Sequence, residues 1–329
     1  MARVFSGMQP SGKAHLGNLL GAFLQWAAQQ DEADCFYCVV DLHALTVPQD
    51  PAGLRSSTLE LAMTYMACGI VPERSTVFVQ SHVHEHAELS WLMECTASFG
   101  ELRRMTQFKD KGDKADFVSG GLFSYPALMA ADILLYDTDT VPVGDDQRQH
   151  LELTRDVAER FNSRYGQTFV VPEATTPVAG ARVMDLQEPT DKMSKSNAGA
   201  AGTILLLDEP RDIERRFKRA VTDSENEVRY DPAAKPGVSN LLSILAAATG
   251  RAPADAAKGY TQYGPLKSDT AAAVIDLLRP IQARYRELEA DPAETARLLG
   301  IGASKAQAVA ASTLERAQRA IGLLPRSIV

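Results

Sequence analysis

The chain has little of what commits a protein to a membrane, to secretion or to a resident metal. In its 329 residues no apolar run approaches the roughly 18 needed to span a bilayer. The opening, Met1-Ala2-Arg3-Val4-Phe5-Ser6-Gly7, reads as a buried strand. It resembles neither an arginine-rich leader nor a charged stretch with an apolar core and a cleavage site, so a cytoplasmic protein without membrane association is expected. Cysteine is scarce: Cys35, Cys38, Cys68 and Cys95 make no disulfide framework in a chain of this size. Cys35 and Cys38 have the spacing of half a metal site, but no second Cys/His pair with ligand spacing follows. Phe36, Tyr37, Val39 and Val40 around them read as a strand in which thiols sit as small apolar groups, so no metal ligands are assigned. A basic excess is missing too. The 34 basic and 42 acidic residues leave a net charge of −8, which weighs weakly against nucleic acid as a partner and leaves room for local basic patches. Repeats and low-complexity tracts are absent.

A length of 329 residues and 45% hydrophobic content are enough for a large core and suggest two domains. The first half alternates. Apolar strands are expected at residues 4–6, 35–40, 76–80 and 141–143. Helices are expected at 17–29, 54–68 and 86–97, over 125–136 with Pro126 in the first turn, and at 147–161. Strand–helix alternation with continuous apolar strands predicts an α/β fold, a doubly wound parallel sheet covered on both faces. Its ligand crevice lies at the carboxyl ends of the strands. Beyond about residue 207 only helices are expected, at 208–220, 238–248, 254–260, 266–289 with a break or kink at Pro280, and 305–321. The expected domains are 1–206, a Rossmann-like nucleotide-binding unit, and 207–329, a helical one.

Two loops carry chemistry. Ser6-Gly7-Met8-Gln9-Pro10-Ser11-Gly12-Lys13-Ala14-His15-Leu16-Gly17-Asn18 joins the first strand to the first helix. Its glycines permit close backbone approach, and a helix start offers free N–H groups to phosphate. It is neither a Rossmann glycine fingerprint nor a P-loop, and alone it would pass for a glycine-rich turn. Asp191-Lys192-Met193-Ser194-Lys195-Ser196-Asn197 interleaves ammonium and hydroxyl groups that can clamp a pyrophosphate as charge builds on it.

Together the two loops resemble the signatures of class I aminoacyl-tRNA synthetases. His15-Leu16-Gly17-Asn18 stands where that class has His-Ile-Gly-His, with Asn18 for the second His as in the tryptophan branch. Lys192-Met193-Ser194-Lys195-Ser196 matches the Lys-Met-Ser-Lys-Ser loop in full. Further stretches are similar to the bacterial tryptophanyl-tRNA synthetases. They are Phe5 to Gly12, Gly100 to Lys109, Tyr125-Pro126-Ala127-Leu128-Met129-Ala130-Ala131-Asp132-Ile133-Leu134, Val141-Pro142-Val143-Gly144-Asp145-Asp146-Gln147 and Ala220-Val221-Thr222-Asp223-Ser224.

The resemblance implies ATP-dependent activation of L-tryptophan and its transfer to tRNA(Trp), with Mg²⁺ accompanying ATP. It implies that Asp132 accepts the indole N–H, with Phe5, Met129, Ile133, Val141 and Val143 walling the slot and His43 beside it. Tyr125 and Gln147 hold the amino group or carboxylate. Gln9, Pro10, Ser11, Gly17 and Asn18 lie against ATP, Gly144, Asp145, Asp146 and the backbone of Val183 hold ribose and adenine, and Lys111, Lys192 and Lys195, with Met193, Ser194 and Ser196 of the same loop, meet the triphosphate. It also implies a homodimer formed through about residues 80–130 and anticodon recognition by the helical domain.

The physics of Asp132 agrees. Indole is a slab with one N–H that only donates. Asp132 sits in a run that is otherwise apolar, where a carboxylate without a partner is costly to bury. Three rival readings remain open: a tyrosine-specific relative, a non-catalytic tryptophan or tRNA sensor, and a smaller nucleotidyltransferase with a similar turn. The intact lysine loop argues against the second and the long helical half against the third.

Overall fold

A computed structural model describes residues 1–106, 118–144, 147–175, 182–194 and 201–325. Among them β1 (Arg3–Met8), β2 (Asp34–Val39), β3 (Thr76–Val79), β4 (Thr140–Pro142) and β5 (Glu173–Thr175) form one parallel sheet in the order β3-β2-β1-β4-β5. The winding reverses between β1 and β4. That reversal opens a crevice at their carboxyl ends, where doubly wound sheets take their ligands.

Period-two alternation splits each strand between two cores. Val4, Cys35, Tyr37, Val39 and Val77 face α1, one helix built of the stretches Leu16–Asn18, Leu19–Phe23 and Leu24–Gln29, and α3 (Pro51–Ala67). Phe5, Phe36, Cys38 and Phe78 face the other side. They meet α4 (Glu85–Thr96), α6 (Gly120–Leu134) and α7 (Arg148–Tyr165) there. Because both faces are covered, β2 and β3 read as near-continuous apolar runs. Short helices α2 (Asp41–Ala44) and α5 (Phe99–Arg103) connect these layers.

The helical part comprises α8 (Pro210–Arg219), α9 (Pro236–Thr249), α10 (Pro253–Ala257), α11 (Tyr263–Ala290) and α12 (Pro292–Ile321). Ile213, Phe217, Leu241, Leu245, Leu266, Val274 and Leu278 pack together in the core that also holds α1 and α3. α12 returns to the sheet. Its Ala306, Ala310, Leu314 and Ala317 join the core beneath Phe36 and Phe78. Gly302 presses on β3 so closely that a Cβ there would stand 1.8 Å from the Val77 carbonyl oxygen. α12 thus covers an edge strand that would otherwise present unpaired backbone. Among the described residues no helix is long and apolar enough to cross a membrane.

The doubly wound sheet is as expected, but several boundaries differ. α6 begins at Gly120, capped by the Ser119 hydroxyl on the Leu122 N–H at 3.1 Å, so Pro126 stands inside the helix and not in its first turn. Asp291 caps the Glu294 N–H of α12 at 3.1 Å. The helix expected from residue 305 thus starts at Pro292 and takes in Gly300 and Gly302. Pro280 lies inside α11 as expected, and the helix is unbroken there from Tyr263 to Ala290. β5 was not expected: Glu173-Ala174-Thr175 carries no apolar run.

Candidate active site

A cavity of about 510 Å³, within the usual range for ligand pockets, opens at the carboxyl ends of β1 and β4. Its walls include Phe5, Gln9, His43, Tyr125, Met129, Asp132, Ile133, Val141, Val143, Gly144 and Gln147. The crevice therefore gathers the tryptophan-binding set expected from the sequence. Ser6, Gly7 and Met8 of the first signature loop, Pro142 of a further signature stretch, and Trp26 and Val40 line it as well, though none of the six was given a ligand role from the sequence.

Asp132, 2% exposed, is held by a fixed set of donors. Its Oδ2 accepts from Nε2 of His43 at 2.7 Å. Its Oδ1 accepts from Nε2 of Gln80 at 2.7 Å and from Nδ1 of His86 at 2.6 Å. Burial pushes the carboxyl pKa up. The charge and hydrogen bond of His43, with those of His86, more than offset it and hold the group well below the usual carboxylate range. An ionised carboxylate has about four acceptor positions, and the three donors leave one for the cavity.

The donors are themselves fixed. Gln80 accepts the Leu42 N–H at 3.1 Å, and His86 Nε2 meets the Tyr136 hydroxyl at 2.7 Å. Tyr136 stacks on Phe5 (centroids 5.5 Å, 9° between planes), so the polar network and the apolar wall share one aromatic layer. Opposite, the Tyr125 hydroxyl lies 2.5 Å from His150 Nε2, and burial raises its pKa. Gln80 and His86 were not foreseen. The signal for Gln80 was a polar residue ending the apolar β3, at the sheet edge where ligands bind. His86 is one of three histidines within His82-Val83-His84-Glu85-His86.

The first signature loop is tied through main chain to residues 204–206, which follow the second loop. Leu16 N–H donates to Ile204 O at 2.9 Å and Leu206 N–H to Ala14 O at 3.1 Å, with His15 bridged to Leu205. The Asn18 side chain turns back to accept the His15 N–H at 3.1 Å. Lys192, exposed, forms an antiparallel bridge with Met184, and the Met193 N–H donates to Val183 O at 3.1 Å. Met193 and Val183 are buried and Ser194 is half-buried. A Cβ on Gly17 would stand 3.7 Å from the Val183 Cβ, so the strap over residues 183–193 lies against the turn. Pro10 is buried and Ser11 exposed. The expected site residues Lys111, Asp145, Asp146, Lys195 and Ser196 lie outside the described residues.

The family model for class I tRNA synthetases (W and Y) matches residues 1–279, and the nucleotide fold, the His15–Asn18 turn and the lysine strap define the chain as a class I enzyme of that group. The tryptophan–tRNA ligase of Caldanaerobacter subterraneus subsp. tengcongensis is 55% identical to it over 99% of this chain and 100% of its own length. The solved tryptophanyl-tRNA synthetase of Mycoplasma pneumoniae superposes with a TM-score of 0.92 at 36% identity, covering 98% of each chain. That of Campylobacter jejuni, complexed with ADP and tryptophan, superposes with a TM-score of 0.83 at 34% identity, covering 98% of this chain and 100% of its own. The chain belongs to the tryptophan–tRNA ligase family of class I synthetases.

Proposed function

We propose that the chain activates L-tryptophan with ATP to tryptophanyl-adenylate and transfers the acyl group to tRNA(Trp), with the crevice between β1 and β4 as the reaction site. Asp132 carries this reading: it is buried and ionised, it faces an apolar slot, and it has one acceptor position left for a donor. Indole supplies that donor. Phe5, Met129, Ile133, Val141 and Val143 pack its faces, with His43 beside them, and Tyr125 and Gln147 take the amino group or carboxylate. Gln9, Pro10, Ser11, Gly17 and Asn18 lie along ATP. Gly144, Asp145, Asp146 and the Val183 backbone hold ribose and adenine.

In the first step a tryptophan carboxylate oxygen attacks the α-phosphorus of ATP. The bond to the bridging oxygen breaks and pyrophosphate leaves. In the second step a hydroxyl of the tRNA 3′-terminal ribose attacks the acyl carbon and AMP leaves. Neither step needs a side-chain nucleophile. Lys111, Lys192 and Lys195, with the loop of Met193, Ser194 and Ser196, neutralise charge on the triphosphate, and the fixed pocket supplies alignment. Mg²⁺ would accompany ATP as part of the substrate and help to neutralise charge on its phosphates.

The same reading divides the chain into a catalytic unit, 1–206, and an anticodon-reading unit, 207–329. In the latter Arg211, Arg215, Lys218 and Arg219 are exposed on α8. It gives the chain a homodimer through about residues 80–130, where Trp91 and Phe99 are 65% and 68% exposed, and a place in the cytoplasm. The decisive experiment is amino-acid-dependent exchange of labelled pyrophosphate into ATP. Exchange with tryptophan and not with tyrosine is expected. Exchange with tyrosine at the same efficiency, or none with tryptophan, overturns the reading.

A further inference from the structure

We infer that Asn240, on α9 of the helical part, is a positioning residue for ATP: it holds the strap over the nucleotide in register. The inference rests on the reading of residues 183–193 as a wall of the ATP site.

Asn240 is 4% exposed, and both ends of its amide go to one residue. Its Oδ1 accepts the Met184 N–H at 2.9 Å, and its Nδ2 donates to the Met184 C=O at 2.9 Å. A neighbouring strand makes the same pair of bonds, so the side chain acts as a one-residue strand on the edge of the strap. The other side of the strap is closed by its own ribbon: Met184 bridges Lys192, Met193 N–H donates to Val183 O, and Asp185 N–H donates to Asp191 O at 2.8 Å. Val183, Met184 and Asp185 are thus gripped from both sides.

The helix that presents Asn240 is itself seated. Gly237, one turn before it, leaves so little room that a Cβ would stand 2.2 Å from the Val221 carbonyl oxygen. The Val221 N–H in turn donates to Leu186 O at 2.8 Å. Leu241, Leu242 and Leu245 are buried in the helical core. Movement of α9 therefore reaches Val183, and through Val183 the Gly17 turn. Only an amide suits this position. Aspartate has no donor for the Met184 carbonyl, and glutamine carries an extra methylene that the 2.9 Å geometry does not accommodate. Neither Asn240 nor Met184 lines the cavity around Asp132, so a defect at the clamp falls on ATP and spares tryptophan.

The test is pyrophosphate exchange by Asn240→Ala and the near-isosteric Asn240→Asp in the full chain. Active sites are counted by the burst of adenylate, so that misfolded protein drops out of the rates. Losing a bidentate amide is worth roughly a fivefold to thirtyfold change. The KM for ATP should rise by that factor in both variants while the KM for tryptophan stays within twofold. Lys192→Ala is measured beside them. If it impairs adenylate formation while both Asn240 variants keep the wild-type KM for ATP, or raise both KM values alike, Asn240 only stabilises the fold and the inference fails. If Lys192→Ala also leaves the reaction untouched, the reading of the strap falls, and the inference with it.

Discussion

The two ends of the cleft are built by opposite means. At the end proposed for indole the side chains are buried and mutually paired: Asp132 with His43, Gln80 and His86, and behind them Tyr136 and Phe5. At the phosphate end the described contacts are main-chain bridges, Leu16 to Ile204, Leu206 to Ala14 and Met193 to Val183, while Ser11 and Lys192 lie open to solvent. The contrast follows from the task. Burying roughly 200 Å² of indole contributes about 5 kcal/mol, but a phenyl ring earns much of the same. Choosing between them requires an acceptor that is already desolvated and cannot turn to another partner. Neutralising a departing pyrophosphate requires cations that can reach it and a backbone that can close around it.

The largest expected effect tests the first half of that contrast. In the proposed role of Asp132, phenylalanine would fill the slot but leave the fourth acceptor position of the carboxylate empty. Sites built around a buried polar partner reject the analogue lacking it by on the order of 10⁴–10⁵. Asp132→Asn and Asp132→Ala should cost kcat/KM for tryptophan roughly 2–4 kcal/mol, with far smaller change for phenylalanine. The alanine variant also strips three buried donors of their acceptor and should lose about 3–5 kcal/mol of stability. Exchange rates for both amino acids, with Tm, measure this. Unchanged discrimination would move the selecting group to His43 or Gln147.

Next in size come the lysines. Lys192→Ala or Lys195→Ala should slow adenylate formation by about tenfold to a thousandfold, the range for a lost preorganised donor, with tryptophan affinity unaltered. Single-turnover adenylate formation, with separate equilibrium binding of tryptophan, reads the two ends independently. A variant that binds tryptophan poorly but forms adenylate at the normal rate once saturated would reverse the division of labour.

The sequence exposed these two ends to different depths. Asp132 was legible because a carboxylate in an apolar run contradicts its surroundings, and the sheet was legible because four strands are apolar and punctuated by turns. The partners of Asp132 were not. Gln80, His86 and Tyr136 are brought to it by the packing of α4 and α6 against β3, and no local pattern announces a contact across 46 or 52 residues. α12 failed differently. Gly300 and Gly302 signal a helix end on propensity, yet Gly302 is there because only a hydrogen fits against Val77 O. A tertiary contact overrode the local preference.

A smaller effect probes how rigid the phosphate end must be. A Cβ on Gly17 would stand 3.0 Å from two atoms of the His15 ring, so the ring must give by a few tenths of an ångström. Gly17→Ala should raise the KM for ATP by about fivefold, the equivalent of about 1 kcal/mol of crowding, and leave the KM for tryptophan alone. An unchanged KM for ATP would mean that the turn tolerates displacement and that the strap alone sets nucleotide binding.

The smallest expected effect on catalysis comes from an ion pair outside both ends. Glu101, capping α5 with Ser98, meets Arg160 of α7 through two bonds, at 2.5 and 3.0 Å. The hydrogen bonds from Arg160 lead the effects that bring its pKa from the ordinary 4.5 down to about 2, against the opposing push of burial. A depressed carboxylate stabilises the fold above its unfolded pKa and loses that contribution as pH falls through the folded value, so the window runs from about pH 4.5 down to pH 2. With solvent screening at the rim the contribution is about 1–2 kcal/mol. Glu101→Gln should lower stability by that amount at pH 7 and flatten the acid limb of the denaturation midpoint across the window. Both KM values and the tryptophan-to-phenylalanine ratio should stay at wild-type levels, because the Asp132 carboxylate is fixed by its own donors on α2, α4 and the end of β3. If the substitution loosens selectivity, the indole end is not the self-contained network described above, and its geometry depends on how α5 and α7 are tied together behind it.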